Sequence, residues 1–351
     1  MDHPYIGLED KAFWRASISD VNALHISNIF TPKFEISKTD AICAAGSCFA
    51  QHIGRKFKEW GFKFIDMEVA PRFMDPADLE KFGYGMYSAR YGNIYSVRQL
   101  LQMFQRADGS FVPEELYWET KGRFYDPFRP SIEPNGFESI RELELDIAFH
   151  QTQINRMLGN TDLFVFTFGL TEGWVNNSDG SVLPTCPGTL AGEYDDTKYS
   201  FHNFTHSEVL ADTEKFIRYA TKRNPNMKFL FTVSPVPLTA TASGQHVLPA
   251  TVYSKSVLRG VCGELYEKYD NVDYFPSYEL VSSHPMRAMF FNPNLRTVSK
   301  LGVEHVMGAF LESIGGTKDF HESEGGTIAI PEERTEEDVA CDELILQEFG
   351  N

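Results

Sequence analysis

Five cysteines in 351 residues, with no Cys-x-x-Cys pair among them, are too scattered for a disulfide framework or a thiolate zinc site. Cys43, Cys48, Cys186, Cys262 and Cys341 therefore read as free thiols in a reducing compartment. Long apolar runs are missing as well, and no stretch approaches the ~18 residues that a membrane span needs. The opening MDHPYIGLED lacks the basic-then-apolar layout of a secretory signal, so a cytoplasmic address is expected. Basic charge is scarce, with 32 Lys and Arg against 49 Asp and Glu. At a formal net charge of −17, nucleic acid is excluded as a partner, because neutralising phosphates takes clustered cations. No glycine-rich phosphate loop follows any strand-like run, which leaves nucleotide chemistry without support and no cofactor expected.

What is present is a globular composition, 42% hydrophobic and 14% aromatic. The acidic excess is uneven. Between Thr317 and Asn351 eleven acidic residues face only Lys318 and Arg334. The organisation expected is an N-terminal extension over 1–34, a main domain over 35–315, and an acidic, flexible, solvated tail over 316–351. Within that tail CDELILQEF (341–349) has the look of a short amphipathic segment that could dock on a partner.

The main domain alternates strand and helix signals. DAICAAG (40–46) is a short apolar strand, and Phe49, Ile53, Phe57 and Trp60 then recur at helical spacing. FKFID (62–66) is a candidate second strand. Helices are predicted over 96–107, 139–158 and 251–269. Another follows the capping box Thr205-His206-Ser207-Glu208, and a last one carries Val303, Val306, Met307, Phe310 and Ile314. DLFVFTFG (162–169), KFLFTVSP (228–235) and NVDYFP (271–276) complete the strands, the first as apolar as a strand covered on both faces. The pattern predicts an α/β fold, a doubly wound, flavodoxin-like parallel sheet with helices on both faces, interrupted by long loops over 108–138 and 175–204. Ligands of such sheets bind at the carboxyl ends of the strands, here AGSCF, FGLTEGW, VSPVP and PSYE.

Two potential nucleophiles, Ser47 and Cys48, sit side by side where the first strand gives way to a helix. A helix start offers unpaired N–H groups and partial positive charge to a thiolate or an oxyanion. Cys48 has the lower intrinsic pKa, whereas Ser47 needs an external base. The plainer alternative is a capped turn with a small buried residue. His202 and His206 have i,i+4 spacing, but Thr205 is the cap and no helix holds both as ligands, so no metal is expected.

AGSCFA (45–50), FTFGLTEGW (166–174), FHNFT (201–205), TVSPVP (232–237), YSKSVLR (253–259) and YFPSYE (274–279) resemble, in order, the blocks of the GSCFA family, within the SGNH hydrolase superfamily. The resemblance implies an SGNH-like fold and an esterase or acyltransferase acting on an ester or thioester. Its expected partners are an acyl donor and a glycan or glycolipid. Laid on the superfamily's Gly-Asp-Ser block, Gly46-Ser47-Cys48 puts Cys48 at the nucleophile position; a shift of one residue would put Ser47 there. Gly169-Leu170-Thr171-Glu172 falls on the oxyanion block Gly-x-Asn-Asp, with Thr171 and Glu172 in place of its Asn and Asp. The Asp-x-x-His block has no match, since FFNPNLRTVSKLG (290–302) holds neither histidine nor carboxylate. His284, with Glu279 to orient it, and His246 are the candidates for the base. Arg123 and Arg129 are candidates for binding an anionic group, with salt bridges to Asp126 or Asp195 the plainer alternative; Trp118 and Trp174 are candidates for lining the substrate, although loop aromatics more often pin a loop to the core. The altered blocks also suit a carbohydrate- or partner-binding module that kept the fold without the catalysis.

Overall fold

The computed structural model describes residues 3–315 and 342–350. Its centre is a four-stranded parallel sheet of β1 (Ile42–Gly46), β4 (Leu163–Phe168), β8 (Lys228–Val233) and β9 (Val272–Tyr274), in the order β1-β4-β8-β9. Beyond β1 the segment predicted as a second strand contributes a single parallel bridge, Phe64 to Ile42, and the backbone bond from Ile65 to the Ile42 carbonyl. Counting that remnant, the strand order is the 2-1-3-4-5 of flavodoxin-like sheets.

Period-two alternation assigns each strand residue to one face. Ile42, Ala44, Leu163, Val165 and Leu230 point to one core with Phe49, Ile53 and Phe57 of α1 (Phe49–Glu59) and Val303, Val306 and Phe310 of α7 (Lys300–Ser313). Cys43, Ala45, Phe164, Phe166, Phe229 and Phe231 point to the other. That core is covered by α2 (Val97–Ala107), α3 (Ile140–Met157), α4 (His206–Arg223) and α5 (Val247–Lys268). The double winding expected from the sequence is what forms. The helix starts also follow local chemistry: Ser96, Ser139, Thr205 and Ser299 each accept a backbone N–H three residues on.

The two stretches expected to be irregular contain structure of their own. β2 (Trp118–Thr120) and β3 (Arg123–Tyr125) make a hairpin in the first. In the second, β5 (Glu172–Asn176), β6 (Val182–Leu183) and β7 (Tyr199–Asn203) make an antiparallel sheet ordered β6-β5-β7. Short strands interrupted by glycine and proline carry too little periodicity to be seen in sequence. β9 leads into the short α6 (Ser277–Ser282). No helix among the described residues is long and apolar enough to cross a membrane.

Of the tail, residues 316–341 lie outside the described residues. Asp342–Phe349 form a 3-10 helix, and its first two side chains reach into the body, Asp342 to Asn93 and Glu343 to Arg296. This part is docked, contrary to the solvated tail expected, because its acidic residues meet polar partners on the domain.

Gly46 ends β1 with φ +144, and a Cβ there would lie 2.4 Å from the Thr167 carbonyl oxygen. Gly46→Ala is therefore expected to cost about 3 kcal/mol or more, the upper range for single substitutions. A urea unfolding curve with its midpoint shifted by less than ~1 kcal/mol would contradict this.

Candidate active site

The close approach of Gly46 to β4 allows the chain to leave the sheet and enter α1 within two residues. Ser47 N–H still donates to the Thr167 carbonyl, and by Cys48 the backbone is already helical, with φ −49 and ψ −35. The Ala50 and Gln51 N–H groups return to the Ser47 and Cys48 carbonyls and so close the first turn. Cys48 thus stands at the helix start, where the macrodipole favours negative charge. Ser47 is turned inward: its hydroxyl is buried with no hydrogen-bond partner, and its Cβ lies 3.0 Å from where a side chain of Gly169 would begin.

A segment crossing beneath the elbow fixes it. Ile94 N–H donates to the Gly46 carbonyl, and the Tyr87 hydroxyl donates to Asn93 Oδ1 at 2.5 Å, with the Ser47 carbonyl 3.3 Å from the same oxygen. The fully buried Gln51 adds a bond from its amide to the Tyr87 oxygen. Above it, the turn after β4 presents Gly169, whose carbonyl takes a 2.6 Å bond from Lys255 Nζ.

Lys255 is the group that sequence reasoning missed. It lies on α5, buried, on the same stripe as Leu258, Cys262 and Leu265. Burial draws its ammonium down to about 8, against the opposing pull of Glu343 and Cys48. The available signal was a lysine at helical spacing with apolar residues, a position that only a buried or functional amine occupies.

The GSCFA family model matches residues 41–310. The chain belongs to the GSCFA family. Curated proteins gave no match. Among solved structures, a protein provisionally described as a platelet activating factor from Streptococcus pneumonia is 8% identical, with TM-score 0.38, over 87% of this chain and 95% of that one. A mutant acetyl esterase with acetate ion is 7% identical at TM-score 0.34, over 79% and 99%. A GDSL-like lipase from Parabacteroides merdae is 13% identical at TM-score 0.33, over 81% and 99%.

Within this GSCFA protein the expected oxyanion residues follow Gly169 directly. Thr171 N–H donates to Ser254 Oγ at 2.9 Å, and its hydroxyl donates to Asn203 Oδ1 at 2.7 Å. Asn203, at the end of β7 opposite Glu172, is a second residue not predicted as part of the site. Glu172 starts β5 and accepts the Thr241 hydroxyl, its carboxyl raised by burial. Trp174 is half-buried, with its ring edge-on to Tyr194 and Phe201.

The candidate bases are engaged elsewhere. His284 is exposed and stacks on Trp14 at 5.3 Å between ring centroids. Glu279, expected to orient it, instead accepts Arg259 Nε at 2.5 Å and the Tyr274 hydroxyl at 2.8 Å. His246 caps α5, its Nδ1 taking the Leu248 N–H at 3.1 Å. Nine residues separate it from Lys255, about 13 Å along the helix axis at ~1.5 Å per residue. His202 and His206 face different glutamates, Glu208 at 2.9 Å and Glu264 at 3.8 Å.

Three further expectations are corrected. Trp118 is buried with Phe128, Leu183 and Tyr199, so its ring cannot line a cleft. Arg123 is tied to the Asn135 and Gly136 carbonyls and to Glu138. Arg129 lies in a buried ion cluster, bonded to Asp126 and Asp146 at 2.7 Å each. The cluster continues through Arg90, which meets Asp146 at 3.1 Å and Glu133 at 2.9 Å, to Glu68, which accepts the Arg90 N–H and faces His150 at 2.7 Å. Burial alone would raise the Glu68 carboxyl, but His150 and Arg129 hold it at about 2.

Arg129→Met strands Asp126 and Asp146 without their shared cation and is expected to cost about 3–5 kcal/mol of unfolding free energy. Because the Glu68 carboxyl is depressed on folding, its contribution is complete above about 4.5 and fades as pH falls toward about 2. Chemical denaturation of wild type and Glu68→Gln at pH 7 and pH 3 checks this: the gap between the two should narrow at the lower pH.

Proposed function

We propose that this GSCFA protein is an SGNH-type esterase or acyltransferase in which Cys48 attacks an ester or thioester carbonyl and Lys255 serves as the base. The observation that carries the reading is the buried amine of Lys255, fixed on the carbonyl of Gly169, the residue that packs against the elbow at Ser47. A lysine in the base position has precedent in Ser–Lys catalytic pairs.

In the first half-reaction neutral Lys255 accepts the thiol proton, and the C–S bond forms as the tetrahedral oxyanion develops. N–H groups of the first turn of α1 face that charge. The Thr171 hydroxyl proton is already given to Asn203, so the Asn203 amide nitrogen is the donor that this pair presents. Collapse breaks the carbonyl–oxygen or carbonyl–sulfur bond, and the Lys255 ammonium returns its proton to the leaving group. Water, or a hydroxyl of a glycan or glycolipid, then takes the acyl group from sulfur. The half-buried Trp174 with Tyr194 and Phe201 supports a sugar acceptor, because such rings stack on pyranose faces. Ser47, turned inward, supports the elbow.

On an aryl ester, Cys48→Ala is expected to lower kcat/KM at least 10³-fold, Lys255→Met by about 10²–10⁴, and Ser47→Ala by less than about tenfold. With a neutral base required and Lys255 drawn down to about 8, the wild-type rate should rise with pH and level off above about 8, and Lys255→Met should flatten that rise. Full activity in Cys48→Ala would sink the assignment. A folded protein that never acylates Cys48 would instead be a binding module on this fold.

A further inference from the structure

The tail enters the site by way of its charges. Asp342 Oδ2 accepts the Asn93 amide at 3.0 Å, and Asn93 is the residue that Tyr87 and Gln51 hold beneath the elbow. Glu343 Oε2 meets Arg296 Nη2 at 3.0 Å, both side chains nearly buried. Arg296 belongs to FFNPNLRTVSKLG, the stretch before α7 that holds no carboxylate of its own. Glu343 is also the strongest favourable charge on Lys255. The domain therefore sets the nearly buried Arg296 guanidinium and the Asn93 carboxamide, the latter beneath the elbow, against carboxylates from eight residues at the far end of the chain. A guanidinium and a carboxamide donor both match a carboxylate, so these two groups would hold one from another molecule as they hold those of the tail.

We propose that Asn93 and Arg296 form a carboxylate-binding subsite beside the elbow that carries Cys48, filled in the resting protein by the chain's own Asp342 and Glu343 and, during reaction, by an acidic group of the substrate. The substrate class is thereby an ester or thioester that carries a carboxylate near the reacting carbonyl, as an acidic sugar or a dicarboxylic acyl group does. The tail is its resident competitor, so substrate binding and tail release are one exchange. This deepens the reading of Cys48 as the nucleophile, but its test requires no turnover.

Cys48 modification in the full chain is followed by mass with two alkylating agents of similar size, anionic iodoacetate and neutral iodoacetamide. Asp342→Asn/Glu343→Gln is expected to raise the iodoacetate rate at least tenfold over wild type while iodoacetamide changes less than threefold. Adding Arg296→Gln should return the ratio of the two rates to near its wild-type value, and Arg296→Lys, which keeps the charge, should preserve most of the gain. Thermal melts confirm that each variant is folded, and the double variant alone still decides the matter if Arg296→Gln is not. An equal rise for both reagents would make the tail a plain cover with no anion site beneath it, and overturns the proposal. So does an unchanged rate for both, or a Cys48 that reacts with neither. Loss of esterase turnover with the iodoacetate preference intact would refute the catalytic reading while leaving the subsite standing.

Discussion

Gly46 sits where β1 runs so close to β4 that a single methyl group would overlap the Thr167 carbonyl, and the geometry of the site descends from that contact. Because the strand can end there in a conformation that only glycine takes up readily, the chain turns into α1 without a loop. The absence of a loop is what puts Cys48 at a helix start and at the rim of the sheet together. It also sets Ser47 against Gly169 with its hydroxyl buried.

The elbow is rigid because its support is rigid. The segment that carries Tyr87, Asn93 and Ile94 runs along the open side of β1, where the second strand of the sheet is reduced to one bridge. Ser88 Oγ accepts the Ala44 N–H, and the Tyr91 hydroxyl donates to the Ala44 carbonyl. Side chains thus take over hydrogen bonds that a full strand would have made. Arg90, in the same segment, is anchored in the ion cluster of Glu68, Asp146 and Arg129. A buried network of this kind specifies position more than it adds stability, and here the position specified is that of the floor beneath the elbow.

The alternation of apolar runs and helical stripes was enough to read the doubly wound sheet, because both signals are local and each strand is buried on two faces. The elbow was legible for the same reason, as a glycine between an apolar run and a helical one. Lys255 was not, because its burial depends on which face of α5 meets the sheet. Arg129 and Trp118 could be read either as binding residues or as an ion pair and a ring that pin the loop, since nothing in a proline-broken stretch announces which way its charges and rings turn; the structure shows the second. The role of Asp342 and Glu343 depends on contacts with residues some 250 and 47 positions away in sequence, and no periodicity carries that information.

The remaining thiols of the described chain are chemically quiet. Burial pushes Cys43 up to about 12 and Cys186 to about 11, and holds Cys262 higher still. At neutral pH a thiol near 12 is thiolate only about once in 10⁵ molecules, and thiolate is the form that oxidants and electrophiles attack. Oxidative stress or a covalent inhibitor would therefore leave these three sulfurs unmarked. Among the described cysteines Cys48 is the one that stands at a helix start, so any covalent record that they keep of the chemical surroundings would be written there.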